Sequence, residues 1–178
     1  MMRKHDRRGG LGTERESGGS GPPAASSRGV DALIAGVSAN ALQALRDARP
    51  ADWFVRTLAE QYAYIKLGDL HRPWRFLRQM AGAPPVQLGV EGFRQDLVDD
   101  YNPARHYMAF VFIGFYLPGF SATLMLWLWE IASFVRYRGE WSWPDMASGR
   151  IGIAHGRLVR RYGPVVLPGL IAGELAER

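Results

Sequence analysis

The sequence predicts a mostly α-helical, single-pass membrane protein with a small N-terminal helical region and a kinked transmembrane helix. The main observation is an uncharged run of 23 residues, 107–129. As a helix rising about 1.5 Å per residue it would extend roughly 34 Å, which exceeds the hydrocarbon core of a bilayer at about 30 Å. The second observation is a mean hydropathy of only −0.15 for the whole chain, so the apolar character is concentrated in this run.

Two other structures remain open for the apolar run. One is a buried core helix of a soluble domain, although core helices rarely continue for so long without a polar face. The other is a re-entrant hairpin that turns at Leu117-Pro118-Gly119, with two arms that are each short for a crossing.

The composition excludes several classes of site and indicates a source. The chain has no cysteine, which excludes disulfides, thiolate zinc sites, iron–sulfur clusters and cysteine nucleophiles. Its net charge of +5 comes from 20 arginines and two lysines against 17 acidic residues. Because arginine has GC-rich codons, this skew favours a GC-rich bacterial source, and we expect the bacterial inner membrane as the location.

The first hundred residues divide into a tail and a helical region. Residues 1–26 are rich in Gly, Ser, Arg and Pro and bury too little apolar surface to fold, so we interpret them as a disordered basic tail. Residues 27–101 carry apolar residues at helical spacing and are expected to form amphipathic helices. One of these helices has a basic face at three-residue spacing, formed by Arg72, Arg75 and Arg78.

The transmembrane helix is expected to cover residues 102–137. Asn102 and Pro103 are a suitable helix start, with Asn at the cap and Pro at the first position. Pro118 removes one backbone hydrogen bond, so we expect a kink there rather than a straight helix. Small residues around the kink allow another helix to approach closely, and the predicted packing residues are Gly114, Pro118, Gly119, Ser121 and Ala122.

Aromatic and basic residues mark the C-terminal end of the apolar run, as expected at a membrane interface. The predicted interfacial anchors are Trp127, Trp129, Trp141, Trp143, Arg136 and Arg138. Glu130 falls within this belt, where its carboxylate is expected to reach water. Residues 138–178 are interpreted as an interfacial C-terminal segment, because their apolar patch is interrupted by Pro and Gly.

No phosphate-binding glycine loop, nucleophile elbow or zinc-protease motif is present in the sequence. We therefore expect a non-catalytic, membrane-anchored accessory or assembly subunit of a larger bacterial complex, such as a secretion, conjugation or phage-encoded assembly. The expected partners are the bilayer and other membrane subunits, with no cofactor and no nucleic acid.

Two alternatives are kept. The first is a metal-dependent enzyme at the membrane surface, whose ligands would be Asp96, Asp99, Asp100 and His106, since hard cations take carboxylate oxygens. The second is a basic peripheral module that binds anionic lipid or nucleic acid through the arginine face and the N-terminal tip.

Overall fold

The computed structural model describes residues 29–69, 72, 75, 84–99, 101–136 and 141–177; the side chains of Asp69 and Arg136 are not described. The predicted tail 1–26, Arg78, Asp100 and Arg138 therefore lie outside the described residues. Within those residues the protein is mostly helical, which confirms the predicted class. The α-helices are α1 Gly29–Ala44, α2 Pro50–Leu58, α3 Pro103–Tyr116, α4 Gly119–Arg136, α5 Trp143–Tyr162 and α6 Leu167–Glu174.

Helix α1 forms because its apolar residues recur every three or four positions, which gathers them on one face. Val30, Leu33 and Val37 on that face are fully buried. Leu42 and Leu45, which continue the apolar pattern in sequence, are instead 67% and 57% exposed. Burial of α1 therefore follows the helical period and not hydrophobicity alone.

Helix α2 continues into a π-helical turn, Ala59–Ala63, that places Tyr62 in the core. Pro50 is at the first position of α2, where its missing N–H has no consequence. The π-helical turn ends at Tyr64, which adopts a left-handed conformation with φ of 61°. This conformation stops the helix in the way that glycine usually does.

Helix α3 occupies the centre of the fold, and eight of its 14 residues are buried. It contacts α2, the π-helical turn, α4 and, most extensively, α5. Its buried side chains include Tyr107, Met108, Phe110 and Val111. The first half of the apolar run is therefore the core of a globular unit.

The continuous kinked helix expected over residues 102–137 is not found, because the chain leaves the helical conformation at Leu117. That residue is extended, with φ of −96° and ψ of 145°, as expected for a residue before proline. The Pro118 carbonyl then accepts the first hydrogen bond of α4, from Ala122 N at 2.9 Å. The interruption of the helical backbone hydrogen bonds also frees the Phe115 carbonyl, which accepts a hydrogen bond from Arg160 Nη1 at 3.3 Å.

After the break, the chain folds back on itself. Phe110 of α3 and Leu126 of α4 belong to the same small apolar core. In one continuous helix these residues would be about 24 Å apart along the axis. Helices α3 and α4 therefore form a helical hairpin whose turn is at Leu117 and Pro118, the position of the hairpin alternative.

Helix α5 packs against α3 through a seam of small residues. Gly149, Gly152 and Gly156 recur every three or four residues on one helical face and are all buried. A Cβ atom added at Gly152 would lie 2.7 Å from the Tyr107 carbonyl oxygen, and one at Gly156 would meet the Val111 carbonyl. The two backbones are in direct contact, which only glycine allows at this separation.

The C-terminal residues pack into the globular unit, in contrast to the expected interfacial segment over 138–178. Leu167 and Ile171 of α6 are completely buried and belong to the main core with α1. An isolated antiparallel bridge joins Phe93 to Ala176. Arg94 strengthens this connection, because its backbone N–H donates to the Leu175 carbonyl at 2.8 Å and its Nη1 to the Glu174 carbonyl at 3.1 Å.

Among the helices that the structure describes, none combines the length and the apolar character needed to cross a membrane.

Candidate functional site

A second apolar core lies where α3, α4 and α5 meet. It consists of five buried residues: Phe110, Ala122, Leu126, Met146 and Ile153. Ala122 and Leu126 are one turn apart on α4, so a single narrow stripe of this helix faces the protein. Glu130 is the next residue on that stripe, and it is only 2% exposed.

Three ionisable side chains meet at the end of this second core. His106 comes from α3, one turn before Phe110; Glu130 comes from α4; and Asp145 comes from the first turn of α5. One possible metal-binding atom of each lies within 4.8 Å of those of the other two. We call this group the three-helix cluster.

Local structure positions two members of the three-helix cluster, His106 and Asp145. The His106 ring stacks obliquely on Phe110, with ring centroids 4.8 Å apart, and its Nδ1 lies 3.9 Å from Asp145 Oδ2. Ser142 caps α5 by accepting a hydrogen bond from the Asp145 backbone N–H at 3.1 Å, which holds Asp145 in the first helical turn. A carboxylate is favoured there by the helix dipole.

Burial disfavours the charged forms of two members of the cluster. Desolvation raises the pKa of Glu130 to about 7, with a further contribution from the negative charge of Asp99. Desolvation also lowers the pKa of His106 to about 4, opposed by the backbone of Asp145 and by Asp99. The imidazole is therefore neutral at pH 7, with a lone pair available on one ring nitrogen.

Two buried atoms of the cluster have no hydrogen-bond partner: His106 Nε2 and Glu130 Oε1. Buried polar atoms are nearly always paired, because an unpaired one costs roughly 1–3 kcal/mol. Two such atoms, on two members of one cluster, make the three-helix cluster a candidate ligand site. The Glu130 carboxylate does not reach water as the sequence suggested, because the fold-back of α4 turns it inward.

The structure does not assemble the metal cluster suggested by sequence. Asp96 forms a two-point ion pair with Arg94, with oxygen–nitrogen distances of 3.0 and 2.6 Å. Asp99 is exposed and acts on His106 and Glu130 only through its charge. His106 is the one residue of that group, among those described, that enters the three-helix cluster.

The outer surface of α4 is the second functional feature. Nine of the seventeen exposed large apolar side chains among the described residues belong to this helix, which concentrates them on one surface. Helices on the surface of soluble proteins usually present polar residues outward. We call this surface the α4 apolar face; it consists of Phe120, Leu124, Met125, Trp127, Leu128, Trp129, Ile131, Phe134 and Val135.

Three of the predicted aromatic anchors come together beside the α4 apolar face. The Trp141 ring lies 5.7 Å from that of Trp127, 6.1 Å from that of Trp143 and 6.2 Å from that of Phe134, measured between centroids. Trp127, Trp129 and Trp143 are 41%, 40% and 69% exposed, whereas Trp141 is half-buried. These predicted aromatic anchors thus form a compact group next to the α4 apolar face.

The predicted packing residues occupy different surroundings. A Cβ atom at Gly114 would meet the backbone of Ile153, so this glycine lies in the contact between α3 and α5. Ala122 is buried in the second core, whereas Ser121 is half-buried and Pro118 is exposed at the hairpin turn. Gly119 faces the side chain of Arg157.

The basic face falls in a stretch of which little is described. Arg72 and Arg75 are exposed, and Arg78 lies outside the described residues.

Sequence reasoning missed Asp145 and the long helix α5 that carries it. The available signal was the recurrence of Ser148, Gly149, Gly152 and Gly156 at helical spacing. A search for large apolar residues does not detect such a seam.

No protein-family model matches the chain, and no curated protein or solved structure matches it either.

Proposed function

We propose that this protein is a non-catalytic, membrane-associated accessory subunit that attaches to a bilayer through the α4 apolar face. The observation that supports this function is the exposure of nine large apolar side chains on one 18-residue helix. Contiguous apolar surface of this kind marks interaction with membranes or proteins.

The shape of this surface favours lipid as the occupant. Among the described side chains of α4, only those of Ala122, Leu126 and Glu130 are buried against the protein, so exposed apolar side chains occupy most of its circumference. A convex surface of this width suits fluid acyl chains, whereas one packed partner helix covers a narrow stripe. The neighbouring tryptophans suit the interfacial zone, where amphipathic rings collect.

In this proposal α4 lies in the apolar region of the bilayer, while its buried stripe of Ala122, Leu126 and Glu130 remains packed on α3 and α5. This replaces the expected transmembrane crossing with an attachment in which the globular unit remains at the membrane surface. The arginine-rich composition favours a GC-rich bacterial source, and the location we propose there is the cytoplasmic membrane. Purification in mild detergent tests the accessory role, because a partner protein of fixed stoichiometry is then expected to co-purify.

Liposome flotation tests the membrane attachment with matched variants of exposed leucines. Leu124 and Leu128 on α4 are 47% and 51% exposed, and Leu42 on α1 and Leu45 just after its end are 67% and 57% exposed. We expect Leu124→Asn with Leu128→Asn to lower the vesicle partition coefficient at least about tenfold, because fully burying one leucine is worth about 1.5–3 kcal/mol. The pair Leu42→Asn with Leu45→Asn is expected to leave flotation unchanged.

Two outcomes contradict this proposal. In one, the wild-type chain remains at the bottom of the gradient with vesicles of any lipid composition. In the other, it self-associates in sedimentation without lipid and only the α4 leucine pair abolishes that association, which would identify the face as a protein–protein interface.

A further inference from the structure

We propose that His106, Glu130 and Asp145 form a binding site for a divalent transition-metal ion of the zinc class, with one coordination position left open. This inference goes beyond membrane attachment, because the three-helix cluster faces inward from α4 and is separate from the α4 apolar face.

The first argument is the convergence of three ligands from three separate helices. The chain between His106 and Asp145 includes the α3–α4 turn and all of α4, so only the folded structure brings the side chains together. Their possible ligand atoms lie within 4.8 Å of one another. Around a tetrahedral ion with bonds of about 2.0–2.1 Å, ligand atoms lie about 3.4 Å apart. Each pair of ligand atoms would therefore have to approach by at most about 1.4 Å to close the site.

The second argument is independent of this convergence and concerns buried polar atoms of the cluster that lack a hydrogen-bond partner. Glu130 is only 2% exposed, and the His106 side chain is only 9% exposed. Glu130 Oε1 and His106 Nε2 both lack a hydrogen-bond partner, so the carboxyl group and the imidazole do not satisfy each other. A cation bound between them would use the lone pairs that are now unpaired.

The third argument is electrostatic. The site brings a buried carboxyl group together with a second carboxylate, and the nearby Asp99 adds negative charge. Ionisation of Glu130 at this buried position is unfavourable without a compensating positive charge. A bound dication would supply that charge and allow Glu130 to bind in its ionised form.

The donor set selects the class of metal. One imidazole nitrogen and two carboxylate oxygens suit Zn²⁺ and its neighbours, whereas Mg²⁺ and Ca²⁺ prefer oxygen ligands alone. The absence of cysteine from the chain excludes protein thiolate ligands. Three protein ligands leave a fourth position of a tetrahedral ion for water or an external ligand.

The test is metal binding by the full-length chain after removal of metal with a chelator. Calorimetric titration with Zn²⁺ is expected to give one site per chain, and Co²⁺ is expected to give the visible absorption of a four-coordinate ion. Glu130→Gln and Asp145→Asn each remove one ligand charge with little change in shape. Each is expected to weaken Zn²⁺ affinity at least about tenfold.

Asp96→Asn is the matched control, because Asp96 is an acidic residue of the sequence-predicted cluster that pairs with Arg94 instead. It is expected to bind Zn²⁺ like the wild type. Circular dichroism checks that each variant is folded. Asp145→Asn keeps the test decisive if Glu130→Gln does not fold, since Asp145 is 26% exposed at a helix start.

The proposal is overturned if the wild-type chain shows neither a calorimetric signal nor a cobalt spectrum. It is also overturned if folded Asp145→Asn keeps wild-type affinity, because the metal would then be held elsewhere. Tighter binding of Mg²⁺ than of Zn²⁺ would contradict the assigned metal class.

Discussion

At the scale of single residues, the core contains a second buried histidine, which lies between a tyrosine and a glutamate. His155 is 1% exposed; its Nδ1 lies 2.8 Å from Tyr107 Oη, and its Nε2 lies 3.3 Å from Glu174 Oε1. Burial lowers the pKa of His155, and the neighbouring Glu174 carboxylate opposes this shift. The folded protein therefore favours the neutral imidazole.

This shift predicts a loss of stability in mild acid. The unfolded histidine binds a proton near pH 6.5, whereas the folded one does so only at lower pH. The contribution of His155 to the free energy of unfolding is therefore complete above about pH 6.5. It is lost as the pH falls from there through the pKa of the folded state, by at most about 1.4 kcal/mol per pH unit. Urea unfolding between pH 7.5 and 5 should show a steeper decline for the wild type than for His155→Gln. Parallel curves would show that His155 does not titrate in this range.

Some of the residue-scale chemistry was visible in the sequence. His106 and Glu130 are identifiable there as a histidine near acidic residues and an acid within an apolar run. Their pairing was not visible, because 24 positions separate them and the direction of the chain after Pro118 decides whether they meet. Asp145 carried no local signal apart from a place near a helix start.

At the scale of the elements, the contact between α3 and α5 depends on glycine. A Cβ atom at Gly156 would meet the Val111 carbonyl and lie 2.7 Å from the Phe115 nitrogen. Both are backbone atoms of α3, which cannot move aside as the end of a flexible side chain can.

Gly156→Ala is therefore expected to lower the free energy of unfolding by about 1–3 kcal/mol, the usual effect of overpacking. The control is Gly169→Ala in α6, where an added Cβ has no neighbour within 4 Å. That change should be neutral or stabilise by up to about 1 kcal/mol, since alanine favours helix. Urea midpoints measure both effects, and equal midpoints for the two variants would contradict direct backbone contact.

The elements also show where local rules succeed. Pro103 starts α3, Pro50 starts α2 and Pro118 separates α3 from α4. Proline acts locally, so the sequence was sufficient to predict the start of α3 at Pro103 and a distortion at Pro118. Whether Pro118 bends one helix or separates two depends on the packing that each arm finds, and the sequence alone left both outcomes open.

At the scale of the whole molecule, burial is distributed unevenly. The main core unites residues of α1, α2, α3, α5 and α6. Helix α4 instead has three described buried residues, of which two belong to the second core and one, Glu130, belongs to the three-helix cluster. Opening of a segment requires least free energy where few apolar contacts hold it.

Hydrogen exchange should therefore distinguish the two arms of the hairpin. Amides of α4 are expected to exchange through local opening at least about tenfold faster than those of α3, which should require global unfolding. Addition of liposomes should slow exchange in α4 and leave α3 unchanged. Equal protection of the two helices without lipid would mean that α4 is held by more than its inner stripe.

The sequence by itself determined the helical class, the start of α3 at Pro103 and the concentration of apolar residues in one run. These follow from backbone chemistry and side-chain periodicity, which act over a few residues. Only the tertiary structure decided that half of the run is the protein core, that the other half faces outward, and that His106, Glu130 and Asp145 meet. The reason is physical: apolar side chains lower their free energy equally in lipid and in a protein interior, so hydrophobicity alone does not distinguish the two.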